Sequence, residues 1–479
     1  MKLRFLLLLP LLVQLSGCAV NPATGKTDFV MMSERQEIEL GRNYAQEIAR
    51  QYPRYADEKL QAYVQRVGER VARHGHRSHL DYRFTVIDSP DINAFAIPGG
   101  HIYIHRGLMA YLDSEAQLAA VLGHEVGHVT ARHSVRQQSQ STAWNILGQA
   151  VAIGTGVGAA GDLTNVLGGA IVSGYGRDME LEADGLGAQY LARAGYDPQA
   201  MIEVVEVLKS QEDFARDEAR AKGQEVAPRG YHGLFDTHPD NDTRLRQVVA
   251  AATPLANGQG EIGRDTYLRQ IDGMPFGDST EAGVRRGQRF YHRGLDFILG
   301  IPQGWGLINR PDALIVHSAD QQAFLVMSME PVQQSMSAQA FVRQLTGGRA
   351  LAQEQSFQQA GMDGVSGVVP GSAAKRVVVL MREREAFLFV GAVKNGGALD
   401  AADPRFMEIV RSVRPLQANE QALAEAYRLR LVQFKSGQSL EKLSEQMPGE
   451  GDRLRRLRLL NGLYPTGQPQ PGDWLKVVR

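Results

Sequence analysis

The feature that most constrains this chain is a run of five residues, His-Glu-Val-Gly-His, at positions 124–128. Residues four positions apart lie on the same face of an α-helix, so His124 and His128 can present both imidazoles to one metal ion. Ser114 and Gln117 upstream have the form of a capping box, and apolar residues repeat after them at helical spacing. The pattern therefore predicts a helix that supplies two zinc ligands, with a pair of surface histidines as the alternative.

Acidic residues near this motif supply the remaining chemistry. Glu125 projects beside the histidines, where it can act as a general base toward a water molecule. Downstream, Glu180 and Asp184 are four residues apart on another predicted helix, so one can bind the metal while the other lies one turn away. Asp184 is placed to accept the second N–H of a ligating imidazole. From the residues alone, an ordinary solvated acidic helix face remains the alternative for Glu180.

Together these motifs resemble a known family. His124-Glu125-x-x-His128 followed by Glu180-x-x-Ala183-Asp184, preceded by the segment from Asn93 to Tyr103, is similar to the gluzincin metallopeptidases of the HtpX, CAAX prenyl protease and BepA family. The similarity covers about residues 30–250. It implies one Zn²⁺ bound by His124, His128 and Glu180, with Glu125 as the catalytic base and Asp184 supporting a ligand.

The resemblance extends to a downstream Thr237-His238-Pro239 and to Arg244. It implies that His238 lies near the metal, where it either stabilises the oxyanion or occupies the open zinc position and keeps the enzyme latent. For Arg244 it implies oxyanion stabilisation or structural support.

A predicted strand from Phe95 to Ile104 is expected to border the cleft and to pair with extended substrate. The residues assigned to this substrate edge are Asn93, Phe95, Gly99, Gly100 and Tyr103.

The N-terminus has the pattern of an export signal. Lys2 and Arg4 precede an apolar run of about eleven residues, too short for a bilayer-spanning helix. Cys18, the one cysteine in the chain, follows it as in bacterial lipoprotein signals. We therefore expect a signal peptide over 1–17, lipidation of Cys18 and a tether over 18–32, which implies a lipid anchor on the periplasmic side of a Gram-negative outer membrane.

Composition and the periodicity of apolar residues divide the rest of the chain into regions. We predict a zinc metallopeptidase domain over 33–255, a Gly- and Asp-rich linker over 256–287 and an α+β accessory domain over 288–416. For residues 427–479 the pattern predicts the order strand, helix, helix, strand, which loosely resembles a LysM module. Such a module could bind glycan or serve as a docking unit. The predicted fold class is therefore α+β and multi-domain, with a mainly helical zincin-type domain and a small edge sheet.

These features predict an outer-membrane-anchored periplasmic zinc endopeptidase. The resemblance implies that its substrates are misfolded or unassembled envelope proteins. The alternatives are a non-catalytic chaperone or binding protein, and a cell-wall factor that binds peptidoglycan through its tail. Lys and Arg number 52 against 53 Asp and Glu, so no overall positive charge exists to recruit nucleic acid. A single cysteine also excludes an internal disulfide framework.

Overall fold

A helical N-terminal region, a large antiparallel sheet and a small C-terminal unit make up the protein. The computed structural model describes residues 18–139, 175–221, 223, 241–256, 258–332, 336–371, 374–394, 397–449 and 451–479. The predicted signal peptide, 1–17, and His238 lie outside the described residues.

The helical region is built around one buried helix. Its helices are α1 (Glu34–Gln51), α2 (Glu58–Ala72), α3 (Arg106–Tyr111), α4 (Glu115–Thr130), α5 (Arg177–Arg193), α6 (Ala200–Ala221) and α7 (Asn241–Ala252). Helix α4 begins where predicted, because the Ser114 side chain accepts a hydrogen bond from the Gln117 backbone. Every residue of α4 is buried, so it forms the centre of the domain core with α2, α5 and α6 packed around it.

A three-stranded sheet lies beside α4. It consists of β3 (Arg83–Ile87), β4 (Ala94–Ile97) and β5 (His101–His105), with β5 in the centre, parallel to β3 and antiparallel to β4. The prediction of one strand from Phe95 to Ile104 is wrong in its extent, because a 3₁₀ turn at Pro98–Gly100 divides it into β4 and β5.

Glycines make this turn possible. Gly99 and Gly100 have φ of 82° and 94°, a region that L side chains rarely adopt. A Cβ on Gly99 would also lie 3.1 Å from the Cα of Ile38 on α1. Both glycines therefore allow the turn to pack closely inside the domain.

The segment predicted as a tether, 18–32, is partly folded. Strands β1 (Cys18–Val20) and β2 (Thr27–Phe29) form an antiparallel hairpin. Asn21 in its turn is only 3% exposed, and the Met31 backbone N–H donates to Ser139 Oγ at 3.0 Å. The hairpin is therefore packed against the peptidase region rather than extended from it.

The predicted linker, 256–287, also contains ordered structure. Helix α8 (Arg264–Ile271) buries Tyr267, Leu268 and Ile271 in the same core as α4. The Tyr267 hydroxyl donates to the Met109 carbonyl at 2.6 Å. An eight-residue helix surrounded by glycine and aspartate gives only a short apolar pattern, which explains why the sequence suggested a linker.

The accessory region is an α+β unit, as predicted. Its strands, which follow the two-residue strand β6 (Pro275–Phe276), are β7 (Val284–Arg286), β8 (Arg289–His292), β9 (Phe297–Gly300), β10 (Gly306–Asn309), β11 (Leu314–His317), β12 (Ala323–Pro331), β13 (Ala352–Gln359), β14 (Met362–Val369), β15 (Lys375–Arg382) and β16 (Glu385–Val393). Seven of them form an antiparallel sheet in the order β10-β11-β12-β16-β15-β14-β13. Helices α9 (Ala338–Leu345) and α10 (Leu399–Arg411) pack on it, each within its own apolar cluster.

The C-terminal unit has the predicted order of strand, helix, helix, strand. It consists of β17 (Tyr427–Gln433), α11 (Leu440–Glu445), α12 (Arg453–Leu460) and β18 (Trp474–Val478), and β6 joins its sheet beside β17. Leu429, Leu457 and Leu475 belong to the apolar core that contains α4. The tail is therefore packed on the peptidase region, while its LysM identity stays a prediction.

One buried charge joins the tail to the peptidase region. Lys476 is fully buried on β18, and its Nζ donates to the carbonyls of Ala110 and Leu112 at 2.9 and 2.8 Å. The same Nζ lies 3.0 Å from Asp113 Oδ1. Burial lowers the pKa of Lys476, and the Asp113 carboxylate opposes that effect. The ammonium group thus donates to two carbonyls at the end of α3 and forms an ion pair with Asp113.

Replacing this lysine by methionine should destabilise the whole peptidase region. Lys476→Met keeps a side chain of similar length but leaves the Asp113 carboxylate with only the more distant, partly exposed Arg264 guanidinium at 3.6 Å. We therefore expect a loss of about 3 kcal/mol in the free energy of unfolding, the lower end of the range for a broken buried ion pair. Urea denaturation measures it. The control is Lys435→Met at an exposed position of the tail, which should change stability by less than about 0.5 kcal/mol. Equal midpoints for the two variants would contradict a stabilising role for Lys476.

Candidate metal centre

Helix α4 presents the two motif histidines to a single point. His124 and His128 are 6% and 1% exposed, and their Nε2 atoms are 2.9 Å apart. Glu125, between them in sequence, is 1% exposed. The spacing of four residues thus places both imidazoles on one face, as predicted.

Glu180 reaches the same point from α5. Its Oε2 lies 3.5 Å from His124 Nε2, and its Oε1 lies 3.5 Å from His128 Nε2. The predicted third donor is therefore brought to the two histidines and is fully buried. Glu180 is not part of a solvated helix face.

Small residues allow α4 and α5 to come this close. A Cβ on Gly127 would lie 2.9 Å from the Ala183 carbonyl oxygen, and one on Gly187 would lie 3.1 Å from the His124 backbone nitrogen. Both distances are shorter than ordinary van der Waals contact, so any larger side chain would push the helices apart. The glycine in the motif and the alanine before Asp184 thus set the distance between Glu180 and the histidines.

The donor set fits zinc. Zinc is bound by imidazole nitrogen and carboxylate oxygen at about 2.0–2.2 Å in tetrahedral geometry, which places neighbouring ligand atoms roughly 3.3 Å apart. The distances of 2.9–3.5 Å between these donor atoms agree with that geometry. Within the described part of the chain, His124, His128 and Glu180 are the one set of three such donors that converges.

Asp184 and Arg244 support His124. The Asp184 Oδ1 lies 2.7 Å from His124 Nδ1, which leaves Nε2 directed at the metal position. Arg244 on α7 donates to both Asp184 oxygens at 2.8 Å, and its Nη1 lies 3.5 Å from Glu180 Oε2. Burial raises the pKa of Asp184, but the charges of Arg244 and His124 outweigh it and hold that pKa below its usual value. Of the two predicted roles for Arg244, these contacts match structural support.

His133 and Glu182 lie behind His128. The Nδ1 atoms of His128 and His133 are 2.7 Å apart, and His133 Nε2 lies 3.2 Å from Glu182 Oε2. Burial raises the pKa of Glu182, but hydrogen bonds from His133 and Arg136 lower it to about 2. No motif in the sequence pointed to this contact.

An aromatic ring covers the other face of the same histidine. Tyr175 stacks on the His128 ring at 4.1 Å, and its hydroxyl lies 2.6 Å from Ser134 Oγ. The sequence carried no signal for this contact, because Tyr175 belongs to no motif.

The predicted substrate-edge residues are divided between different elements. Phe95 lies on β4, an edge strand that packs against α4, and its ring stacks on Tyr103 at 5.0 Å. Tyr103 itself lies on the central strand β5, which is paired on both sides, so it cannot offer an edge. Asn93 precedes β4 and its carbonyl accepts the His105 N–H at 2.9 Å. Of the predicted set, Phe95 is the residue located on an edge strand.

Comparison with known proteins agrees with this geometry. Residues 58–252 match the sequence model of peptidase family M48. This part of the chain is similar to that family. The matched range contains all three metal donors, Glu125 and the Asp184–Arg244 pair.

Several named proteases are similar to part of the chain. The chain is 33% identical over 257 residues to the beta-barrel assembly-enhancing protease of Escherichia coli K12, which covers 52% of this chain and 50% of that protein. It is 37% identical over 139 residues to the mitochondrial metalloendopeptidase OMA1 of Arabidopsis thaliana, covering 28% of each. It is 29% identical over 168 residues to the metalloprotease YcaL of Escherichia coli K12, covering 34% of this chain and 60% of that protein.

The similarity is confined to part of each molecule. The chain spans about half the length of the beta-barrel assembly-enhancing proteases that it matches. Among the helices that the structure describes, none combines the length and apolar character needed to cross a membrane.

Proposed function

We propose that this protein is a zinc-dependent endopeptidase. The observation that carries the proposal is the convergence of His124, His128 and Glu180 on one point, with Glu125 on the same helix. The match to the M48 family model and the relatives named as metalloproteases support the same activity.

The residues of the site have distinct tasks in this proposal. Zinc bound by three protein ligands acidifies a water molecule and polarises a carbonyl group. Glu125 takes the proton of the attacking water and returns it to the leaving amine. Asp184 fixes the tautomer of His124, and Arg244 holds Asp184 in place. Strand β4 offers its free edge to an extended peptide, which favours unfolded substrate.

The substrates that we propose are misfolded or unassembled envelope proteins. Relatives named for enhancing β-barrel assembly support this choice. We further propose that Cys18 is lipidated and holds the protein on the periplasmic side of the outer membrane. The support for this anchor is the sequence around the single cysteine.

For the C-terminal unit we favour docking over peptidoglycan binding. Arg455 and Arg456 on α12 lie 3.7 and 3.2 Å from Asp217 and Glu218 on α6. The Tyr464 hydroxyl also donates to Asp217 at 2.6 Å. These contacts and the shared core support a tail that stabilises the peptidase region.

Metal removal tests the proposed activity. The purified full chain should contain about one zinc per molecule and cleave an unfolded protein such as reduced casein. A zinc chelator should abolish cleavage, stoichiometric zinc should restore it, and a serine-protease inhibitor should have no effect. Casein cleavage that persists in the zinc-free protein, or a chain that binds no zinc, would contradict the proposal.

A further inference from the structure

We infer that His133 and Glu182 are positioning residues for the zinc ligand His128, and that the N-terminal hairpin holds Glu182 in place. This inference rests on the proposed zinc site, because it concerns the orientation of one of its ligands. It gives the segment between Cys18 and α1 a role at the metal centre in addition to that of a tether.

The hydrogen-bond pattern assigns a direction to the contacts. An ionised carboxylate only accepts hydrogen bonds, so Glu182 Oε2 requires a proton on His133 Nε2, 3.2 Å away. A neutral His133 then has an unprotonated Nδ1, which accepts the Nδ1–H of His128 at 2.7 Å. That tautomer of His128 has a free electron pair on Nε2, the atom that faces Glu180. The opposite tautomer would direct an N–H at the metal position.

Glu182 is itself fixed by two side chains. Arg136 Nη1 donates to its Oε2 at 2.9 Å, and Asn21 Nδ2 donates to its Oε1 at 3.2 Å. Arg136 also pairs with Asp28 on β2 at 3.2 Å. Asn21 and Asp28 both belong to the N-terminal hairpin, so the hairpin contacts this carboxylate directly and through Arg136.

The two zinc-binding histidines are thus supported in parallel ways. Behind His124, a carboxylate held by an arginine accepts the Nδ1 proton directly. Behind His128, the His133 imidazole lies between the ligand and the Glu182 carboxylate. An arginine, Arg136, holds this carboxylate as well. His133 is fully buried, so water cannot replace it in this position. Its side chain therefore fixes the orientation of His128.

Zinc affinity tests the role of His133. In the full chain carrying Glu125→Gln, which prevents self-cleavage, His133→Leu should weaken zinc binding by about 10- to 100-fold in competition with a chromophoric chelator. His133→Gln, whose amide oxygen accepts and whose NH₂ donates, should recover most of that affinity. His79→Leu, at a histidine far more exposed, is the control and should leave the affinity unchanged.

Three outcomes separate the inference from the proposed function. His133→Leu with zinc affinity within twofold of the parent would overturn the inference and leave the zinc site standing. A lower melting temperature of the metal-free variant without loss of affinity would show a structural role only, and would overturn it as well. A parent protein that binds no zinc would overturn the proposed function itself.

The hairpin is tested by one further substitution. Asn21→Leu removes the hydrogen bond to Glu182 and should weaken zinc binding about tenfold, the lower end of the range for supporting residues. Lys26→Met, at an exposed position in the same hairpin, should have no effect. Equal zinc affinities for Asn21→Leu and Lys26→Met would overturn the role of the hairpin.

Discussion

Replacing Glu125 by glutamine should leave the zinc content unchanged and lower the cleavage of an unfolded protein by about 10²–10⁴-fold. Glutamine has nearly the same shape, so the packing of buried α4 is preserved, but its amide cannot accept the proton of the attacking water. The metal donors His124, His128 and Glu180 are untouched. The measurement is single-turnover cleavage of casein together with metal analysis of the same preparation.

The matched control for this substitution is Glu39→Gln, at an exposed glutamate on α1. It makes the same chemical change away from the site, so zinc content and cleavage should both equal those of the parent. A Glu125→Gln protein that binds zinc and still cleaves at the parental rate would contradict the assignment of Glu125 as the base. A loss of zinc as well would show that the glutamate stabilises the metal site instead.

The parts of the site predicted from sequence are those governed by local geometry. The positions of His124, His128 and Glu125 follow from the helical repeat, and the start of α4 follows from Ser114. Glu180 and Asp184 share a face of α5 for the same reason. Periodicity alone could not predict that α4 and α5 bring these residues to one point. That prediction came from the resemblance to a metallopeptidase family.

The parts of the site that the sequence did not predict depend either on an irregular turn after α4 or on a contact between distant segments. Helix α4 ends at Thr130, and Arg132 has φ of 56°, so His133 turns back to His128 although the two are five residues apart. No helical spacing predicts that contact. Glu182 meets Asn21 across 161 residues of sequence, which composition alone could not reveal.

Local conformation and short patterns account for the remaining differences in the fold. The strand expected from Phe95 to Ile104 is interrupted because Gly99 and Gly100 adopt positive φ, which alternation of apolar residues does not report. Helix α8 was hidden in a predicted linker because its apolar stripe is only two turns long. Local backbone conformation decides the first case, and packing of α8 into the core decides the second.

Arg244→Leu should destabilise the metal-free protein by about 3–5 kcal/mol, because it removes the cation from a buried group of charges. Arg244, Asp184 and Glu180 are 3%, 2% and 0% exposed, so water cannot replace the guanidinium. Denaturant unfolding in the presence of a chelator measures the loss. Arg246→Leu, on the same helix but exposed, is the control and should change stability by less than about 0.5 kcal/mol.

The pH dependence of this loss identifies its cause. In the parent, the pKa of Asp184 is held below the ordinary value of 3.8, so the stability from its ionised form is present above that value and is lost as the pH falls through the lower, folded-state pKa. Without Arg244, His124 alone opposes the effect of burial, so the pKa of Asp184 is higher in the variant and Asp184 gains a proton at a higher pH than in the parent. The difference in unfolding free energy between the parent and Arg244→Leu should therefore be largest at neutral pH and should decrease as the pH falls. A difference that stays constant from neutral pH to pH 4 would show that lost packing, and not the loss of the Arg244–Asp184 ion pair, is responsible.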